Sequence, residues 1–176
     1  MKTLLCIVDV QEDFVRGALP GENAQARVKN MVARAKVAQA RDEAIIFTQD
    51  THDRETYMQT QEGKNLPIYH CIKGTKGWEI ISELQEFVTD ATVIEKSTFG
   101  SIPMMDVVEK KLNEGYKRIE LFGICTDICV INTAVLLKNT FPEVEIAVNS
   151  QCSAGVSEKL HQNALDVMAS FQIKII

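Results

Sequence analysis

Six short apolar runs alternate along this chain with stretches of helical periodicity, and that alternation limits the available folds more than any other feature. Leu4-Leu5-Cys6-Ile7-Val8 is apolar without a break up to Asp9, the pattern of a strand buried on both faces. Val28, Met31, Val32, Ala35 and Ala38 then form an apolar helical stripe within Asn23–Ala40. Ala44-Ile45-Ile46-Phe47 predicts a second strand leading to Asp50. A helix over about Gly77–Phe87 precedes Ala91-Thr92-Val93-Ile94, which leads to Lys96. Further helices are predicted at Pro103–Glu114, Asp127–Asn139 and Glu158–Phe171, with strands at Arg118–Phe122, Val144–Val148 and Ile173–Ile176. Strands spaced by helices favour right-handed crossovers into a parallel sheet. The predicted fold is therefore α/β: a three-layer, doubly wound (Rossmann-like), mostly parallel six-stranded sheet with helices on both faces.

A length of 176 residues suits one such domain, residues 1–176, with a core large enough to need no disulfide. Nineteen Lys and Arg against 24 Asp and Glu leave a net charge of −5, which gives no electrostatic ground for a nucleic-acid partner. Every apolar run is far shorter than the ~20 residues of a membrane span. The first run meets Asp9 too early for a secretory leader, so no membrane association and a cytoplasmic location are expected. Five cysteines, an odd number with no CxxC pair, fit free thiols in a reducing compartment better than a disulfide framework or a zinc knuckle. The chain has no GxGxxG, P-loop or GxSxG motif, which lowers the expectation of dinucleotide, nucleotide or serine-hydrolase chemistry.

In open α/β sheets, ligands sit beyond the carboxyl ends of the strands. At those ends this chain places Asp9, Asp50 with His52, Lys96 and the segment Gly123–Cys129. Cys129 is expected to open a helix with Thr126 and Asp127 as caps, where the dipole and free N–H groups favour thiolate and suit an oxyanion. Taken singly, the plainer reading is favoured for each: Cys129 as a buried structural thiol, Asp9 as a solvated strand-end carboxylate and Lys96 as a surface lysine. Taken together, a carboxylate, a cation and a thiol have complementary roles in amide hydrolysis. Asp50 and His52, two apart on an extended segment, face one side, and with His70 make a set suited to Zn²⁺, Mn²⁺ or Fe²⁺. His161 and Trp78 read as helix-packing residues.

Asp9-Val10-Gln11-Glu12-Asp13-Phe14, Thr48-Gln49-Asp50-Thr51-His52, His70-Cys71-Ile72-Lys73-Gly74-Thr75-Lys76-Gly77, Glu95-Lys96 and Gly123-Ile124-Cys125-Thr126-Asp127-Ile128-Cys129-Val130 stand in one order over nearly the whole chain. In these pieces the sequence resembles the isochorismatase-like cysteine hydrolase superfamily, and within it the nicotinamidases. The resemblance implies a triad of Asp9, Lys96 and Cys129, with Cys129 attacking a carboxamide carbon after passing its proton to Asp9. It also implies a cis Ile124–Cys125 peptide that turns the Cys125 N–H, with that of Cys129, into an oxyanion hole. Asp50, His52 and His70 would hold a divalent ion, Zn²⁺ foremost, which in nicotinamidases binds the pyridine nitrogen of the substrate. Phe14, Phe99 and Tyr69 would wall the pocket, and the family commonly assembles as homo-oligomers, dimers or larger. Nicotinamidases usually carry an aromatic residue three positions before the second metal histidine, where this sequence has Pro67.

The activity implied is hydrolysis of a small amide, nicotinamide to nicotinic acid and ammonia. Two other readings remain open: a metal-free relative acting on another small amide, a carbamoyl or ureido compound (the N-carbamoylsarcosine amidase or ureidoacrylate hydrolase type) or an enol ether, and a non-catalytic binding or assembly member of the fold. Retention of Asp9, Lys96 and Cys129 argues against the last.

Overall fold

The computed structural model describes residues 2–176. Strands β1 (Thr3–Val8), β2 (Ile45–Asp50), β3 (Thr92–Lys96), β4 (Arg118–Gly123), β5 (Glu145–Val148) and β6 (Lys174–Ile175) form one sheet in the order β3-β2-β1-β4-β5-β6. Every pairing is parallel. The helices are α1 (Glu12–Val15), α2 (Ala24–Ala40), α3 (Gln61–Asn65), α4 (Pro103–Asn113), α5 (Ile131–Thr140) and α6 (Glu158–Ser170). None among the described residues is long and apolar enough to cross a membrane.

The strict alternation of side chains along β1 divides the interior into two layers. Leu5 and Ile7 pack on one face with Phe47, Phe122, the α2 residues Met31 and Ala35, and Leu84. Leu4, Cys6 and Val8 pack on the other with Ile46, Leu121, Met104, Leu137, Leu165 and Met168. Burying each Leu, Ile or Val contributes roughly 1.5–3 kcal/mol, so this doubly buried central strand anchors the fold.

The chain builds β1, β2 and β3 outward on one side and then returns to place β4 on the other flank of β1. The crevice at the carboxyl ends of β1 and β4 is thus the switch point where such sheets bind ligands. Gly123, at the end of β4, has φ +153, and a Cβ there would overlap the Val8 carbonyl oxygen. A Gly123→Ala variant is expected to melt roughly 5–10 °C below the wild type, because neither backbone can yield without breaking the β1–β4 ladder. An unchanged melting temperature would show that the two strands can separate there.

Two predicted helices differ in form. Over Gly77–Phe87 the chain makes two 3₁₀ turns, Lys76–Trp78 and Ser82–Phe87, with an extended link between them. The link is held by tertiary bonds, from Glu12 N–H to Glu79 O at 3.0 Å and from Ile81 N–H to Val10 O at 3.1 Å. These bonds, and the burial of Ile80 and Ile81, override the local helical pattern. The helix predicted from Asp127 begins instead as a π-helical turn, Thr126–Val130, and becomes α-helical only at Ile131.

Candidate active site

Asp9 follows β1 directly and adopts a left-handed backbone, φ +50, which Asp tolerates better than most residues. Its carboxylate is fully buried. Thr48, on the neighbouring strand β2, fixes it by donating from Oγ1 to Asp9 Oδ1 at 2.6 Å and accepting the Asp9 N–H at 3.2 Å. Lys96 ends β3, two strands away, and its long stem carries Nζ under β2 to within 2.6 Å of Asp9 Oδ2. The same ammonium stands 3.7 Å from Cys129 Sγ, 3.7 Å from Asp50 Oδ1, and donates to Thr98 O at 2.9 Å. The carboxylate, amine and thiol that the sequence places on three separate elements therefore form one buried cluster.

The backbone around the thiol is unlike the capped helix start that the sequence suggests. The Ile124–Cys125 peptide is cis, and Val130 N–H donates to Cys125 O at 3.1 Å, closing the π turn. Asp127 Oδ1 accepts the Val156 N–H at 2.9 Å, and Thr126 Oγ1 meets His161 Nδ1 at 2.8 Å, so both expected caps tie the turn to the segment before α6 and to α6 itself. Cys129 is the fourth residue of this turn. Its thiol is not lowered as expected: burial, then the Asp9 carboxylate, hold it well above the ordinary thiol value, with Lys96 opposing. Burial likewise raises Asp9 against the pull of Lys96. Among the described residues, Lys96 is thus the one cation in reach of both the Asp9 carboxyl group and the Cys129 thiol.

Asp50, at the end of β2, lies in register with Lys96. Its Oδ2 is 3.0 Å from His52 Nε2 and 3.7 Å from His70 Nε2. Ligand atoms of Asp50, His52 and His70 all lie within 4.8 Å of one another, a two-nitrogen, one-oxygen set that fits a divalent transition ion. The carbonyl of Ile68, 2.9 Å from His70 Nδ1, requires the proton on that nitrogen and leaves Nε2 free to ligate. Glu62, on α3, brings Oε1 to 3.6 Å from His70 Nε2 and 3.9 Å from His52 Nε2, a fourth donor atom and second oxygen that the sequence does not announce. Its one signal is Thr60, which caps α3 by accepting the Gly63 N–H at 2.9 Å.

Gln11 clamps Asp50 from behind. Its Oε1 accepts the Asp50 N–H at 2.7 Å and its Nε2 donates to Asp50 O at 2.8 Å. Trp78, expected to pack in a helix, sits in a 3₁₀ turn, donates from Nε1 to Thr51 Oγ1 at 2.9 Å, and accepts the amides of Gln11 and Gln49 on its carbonyl.

Cys129 from the buried cluster and Asp50, Glu62 and His70 from the candidate metal group border one cavity of about 500 Å³. Phe14 and Phe99 line it with Leu19, Leu66, Ile128 and Val156, and Asp50, Glu62, His70, Cys125 and Cys129 supply its polar wall. Tyr69 is not among its walls. The ring is 40% exposed, 5.9 Å from the Tyr57 ring and under the Arg54 guanidinium. Adjacent residues of an extended segment point to opposite sides, so burying His70 turns Tyr69 outward. The aliphatic Leu66 lines the cavity, and Tyr69 and Pro67 do not.

The isochorismatase domain family matches residues 3–176 of this chain. An isochorismatase family protein of Bacillus subtilis, PncA, is 28% identical over 97% of this chain and 96% of its own length. The nicotinamidase/pyrazinamidase of Mycobacterium tuberculosis is 26% identical over 98% of this chain and 97% of its own. The crystal structure of the pyrazinamidase of Pyrococcus horikoshii in complex with zinc superposes with a TM-score of 0.85 at 25% identity, covering 100% of this chain and 99% of the other.

Proposed function

The chain belongs to the isochorismatase family, and on that premise we propose that it is a cysteine amidohydrolase that cleaves the carboxamide C–N bond of nicotinamide, giving nicotinic acid and ammonia. One observation carries this reading: Lys96 Nζ stands 2.6 Å from Asp9 Oδ2 and 3.7 Å from Cys129 Sγ, while Asp50, His70 and Cys129 border the same cavity. The nicotinamidase and pyrazinamidase relatives support the class of reaction.

The mechanism follows from where protons sit. As a carboxamide enters, Cys129 passes its proton to Asp9 Oδ2, and Lys96 holds the resulting thiolate by charge. The sulfur forms a bond to the carboxamide carbon, and the carbonyl oxygen takes up the electron pair within reach of the Cys125 and Cys129 N–H groups. Asp9 then returns the proton to the amide nitrogen, ammonia leaves, and a thioester remains on Cys129. Asp9, again a carboxylate, takes a proton from water as that water attacks the thioester. The adduct collapses with cleavage of the C–S bond, the acid product departs, and Asp9 returns its proton to the sulfur, restoring the thiol and the carboxylate.

Asp50, His52 and His70, with Glu62 beside them, would hold the divalent ion. When bound, it supplies a Lewis-acidic anchor for an aromatic nitrogen of the substrate. Phe14, whose ring centroid is 5.7 Å from that of His70, walls the ring side of the cavity.

Ammonia release from nicotinamide is expected from Zn²⁺-loaded protein, to fall at least tenfold after chelation, and to return with added Zn²⁺. Absence of turnover by the metal-loaded protein would remove nicotinamide as substrate. A second reading, hydrolysis of another small amide or carbamoyl compound, is favoured by the aliphatic wall at Leu19 and Leu66. Turnover of such a compound unaffected by chelation would select it.

A further inference from the structure

We propose that Asp13 is a positioning residue that joins the metal-histidine segment to the wall of the substrate cavity. This rests on the preceding assignment of Asp50, His52 and His70 as metal ligands. Asp13 lies on α1, one residue before Phe14, and touches neither the cavity nor any of the three ligands. Its two carboxylate oxygens serve two different segments. Oδ2 accepts the Cys71 N–H at 2.8 Å, and Oδ1 accepts the Ala18 N–H at 3.0 Å. The Asp13 carbonyl also accepts the Leu19 N–H at 2.9 Å.

The Cys71 peptide is the link to the histidines. It directly follows His70, and its carbonyl accepts the His52 N–H at 2.9 Å, while His52 O accepts the Lys73 N–H at 2.9 Å. Cys71 has φ +45, a left-handed conformation that a residue with a Cβ rarely holds unless its surroundings enforce it. The charge-assisted bond to Asp13 is the contact that holds its N–H in that orientation. Ala18 and Leu19, held by the same residue, line the cavity that Asp50 and His70 also border. The carboxylate is enclosed on both sides by glycine: a Cβ at Gly17 or at Gly77 would overlap Asp13. The surroundings admit a planar, doubly accepting group and little else.

Asparagine keeps the shape of aspartate but presents one NH₂ where an acceptor is needed, so it must lose either the Cys71 or the Ala18 bond. Zn²⁺ affinity of the Asp13→Asn protein, measured by competition with a chromophoric chelator, is expected to be about 10–100-fold weaker than that of the wild type, as for other residues that orient metal ligands. The KM for nicotinamide should rise several-fold, and the melting temperature of the metal-free protein should stay within a few degrees of the wild type. Zn²⁺ affinity and KM both within twofold of the wild type would overturn the proposal. So would an affinity loss that only follows a loss of folded protein. Should Asp13→Asn fail to fold, Gly77→Ala, which crowds the carboxylate from a neighbouring loop, must weaken Zn²⁺ binding in the same way, and normal binding by that variant overturns the role. Wild-type protein that takes up no Zn²⁺ would instead sink the metal assignment, and the metal half of the role of Asp13 with it.

Discussion

Cys129→Ala is expected to lower ammonia release from nicotinamide by at least about 10⁴-fold while the protein remains folded, because losing one member of a covalent triad costs nearly as much as losing all of it. The substitution removes one sulfur from a packed site, a change worth about 1 kcal/mol, so the thermal melt should move by only a few degrees. Activity and stability therefore separate cleanly. Asp9→Asn tests the same route from the proton's side. The resting thiol is held protonated by burial and by the Asp9 carboxylate, so Cys129 reacts only if Asp9 takes its proton. The Asn variant should lose hydrolysis, because no group then takes the thiol proton and returns it to the leaving ammonia. If Cys129→Ala kept even one per cent of the wild-type rate, the thioester route would be wrong. If Asp9→Asn hydrolysed nicotinamide as fast as the wild type, another base would have to be found.

The carboxyl-end cluster is legible in the sequence because each of its members closes an apolar run. Asp9, Asp50 and Lys96 sit where the alternation of strand and helix must put the open edge of a parallel sheet, and the sheet order then brings them together. Glu62 is not legible in this way. It lies in the polar stretch between β2 and the His70 segment, where no apolar periodicity marks a helix, and only the Thr60 cap hints at α3. Tyr69 fails for a reason already contained in the reading of Asp50 and His52. If residues two apart share a side, neighbours cannot, and a buried His70 sends Tyr69 to solvent. The extended link at Ile80 and Ile81 depends on pairing with Val10–Glu12, nearly seventy residues away in sequence, and local pattern carries no trace of such a partner. The thiol departs from the helix-start expectation for a similar reason. Helix-start chemistry would favour thiolate, but burial and a neighbouring carboxylate outweigh it, and neither is visible until the strands are assembled.

Lys96→Met should cost both function and stability, with a pH dependence that identifies the cause. Lys96 is the ammonium that compensates the buried Asp9 carboxylate and reaches Asp50 at 3.7 Å. Removing one partner of such a buried pair costs roughly 3–5 kcal/mol, which for a chain of this size lowers the melting temperature by roughly 10 °C near neutral pH. Hydrolysis should fall with it, since the thiolate loses its counter-charge. The sign of the pH effect comes from Asp9. Burial already raises its carboxyl above the ordinary value and Lys96 pulls it back, so without the lysine the folded-state value rises further above that of the unfolded chain. A group raised on folding contributes stability that is complete below the unfolded value and is lost as pH climbs through the folded one. The gap between Lys96→Met and wild type should therefore narrow as pH falls from 8 toward 5. Other carboxylates run the opposite way. Burial pushes Glu120 up, but the Arg34 fork at 2.8 and 3.0 Å brings it net below its ordinary value. Its stability is present above the unfolded value and lost as pH drops through the folded one. That loss is common to both proteins and cancels in the difference between their melts. A gap that stayed constant from pH 8 to 5, or widened, would show that Lys96 supports the fold through its stem alone and does not neutralise Asp9.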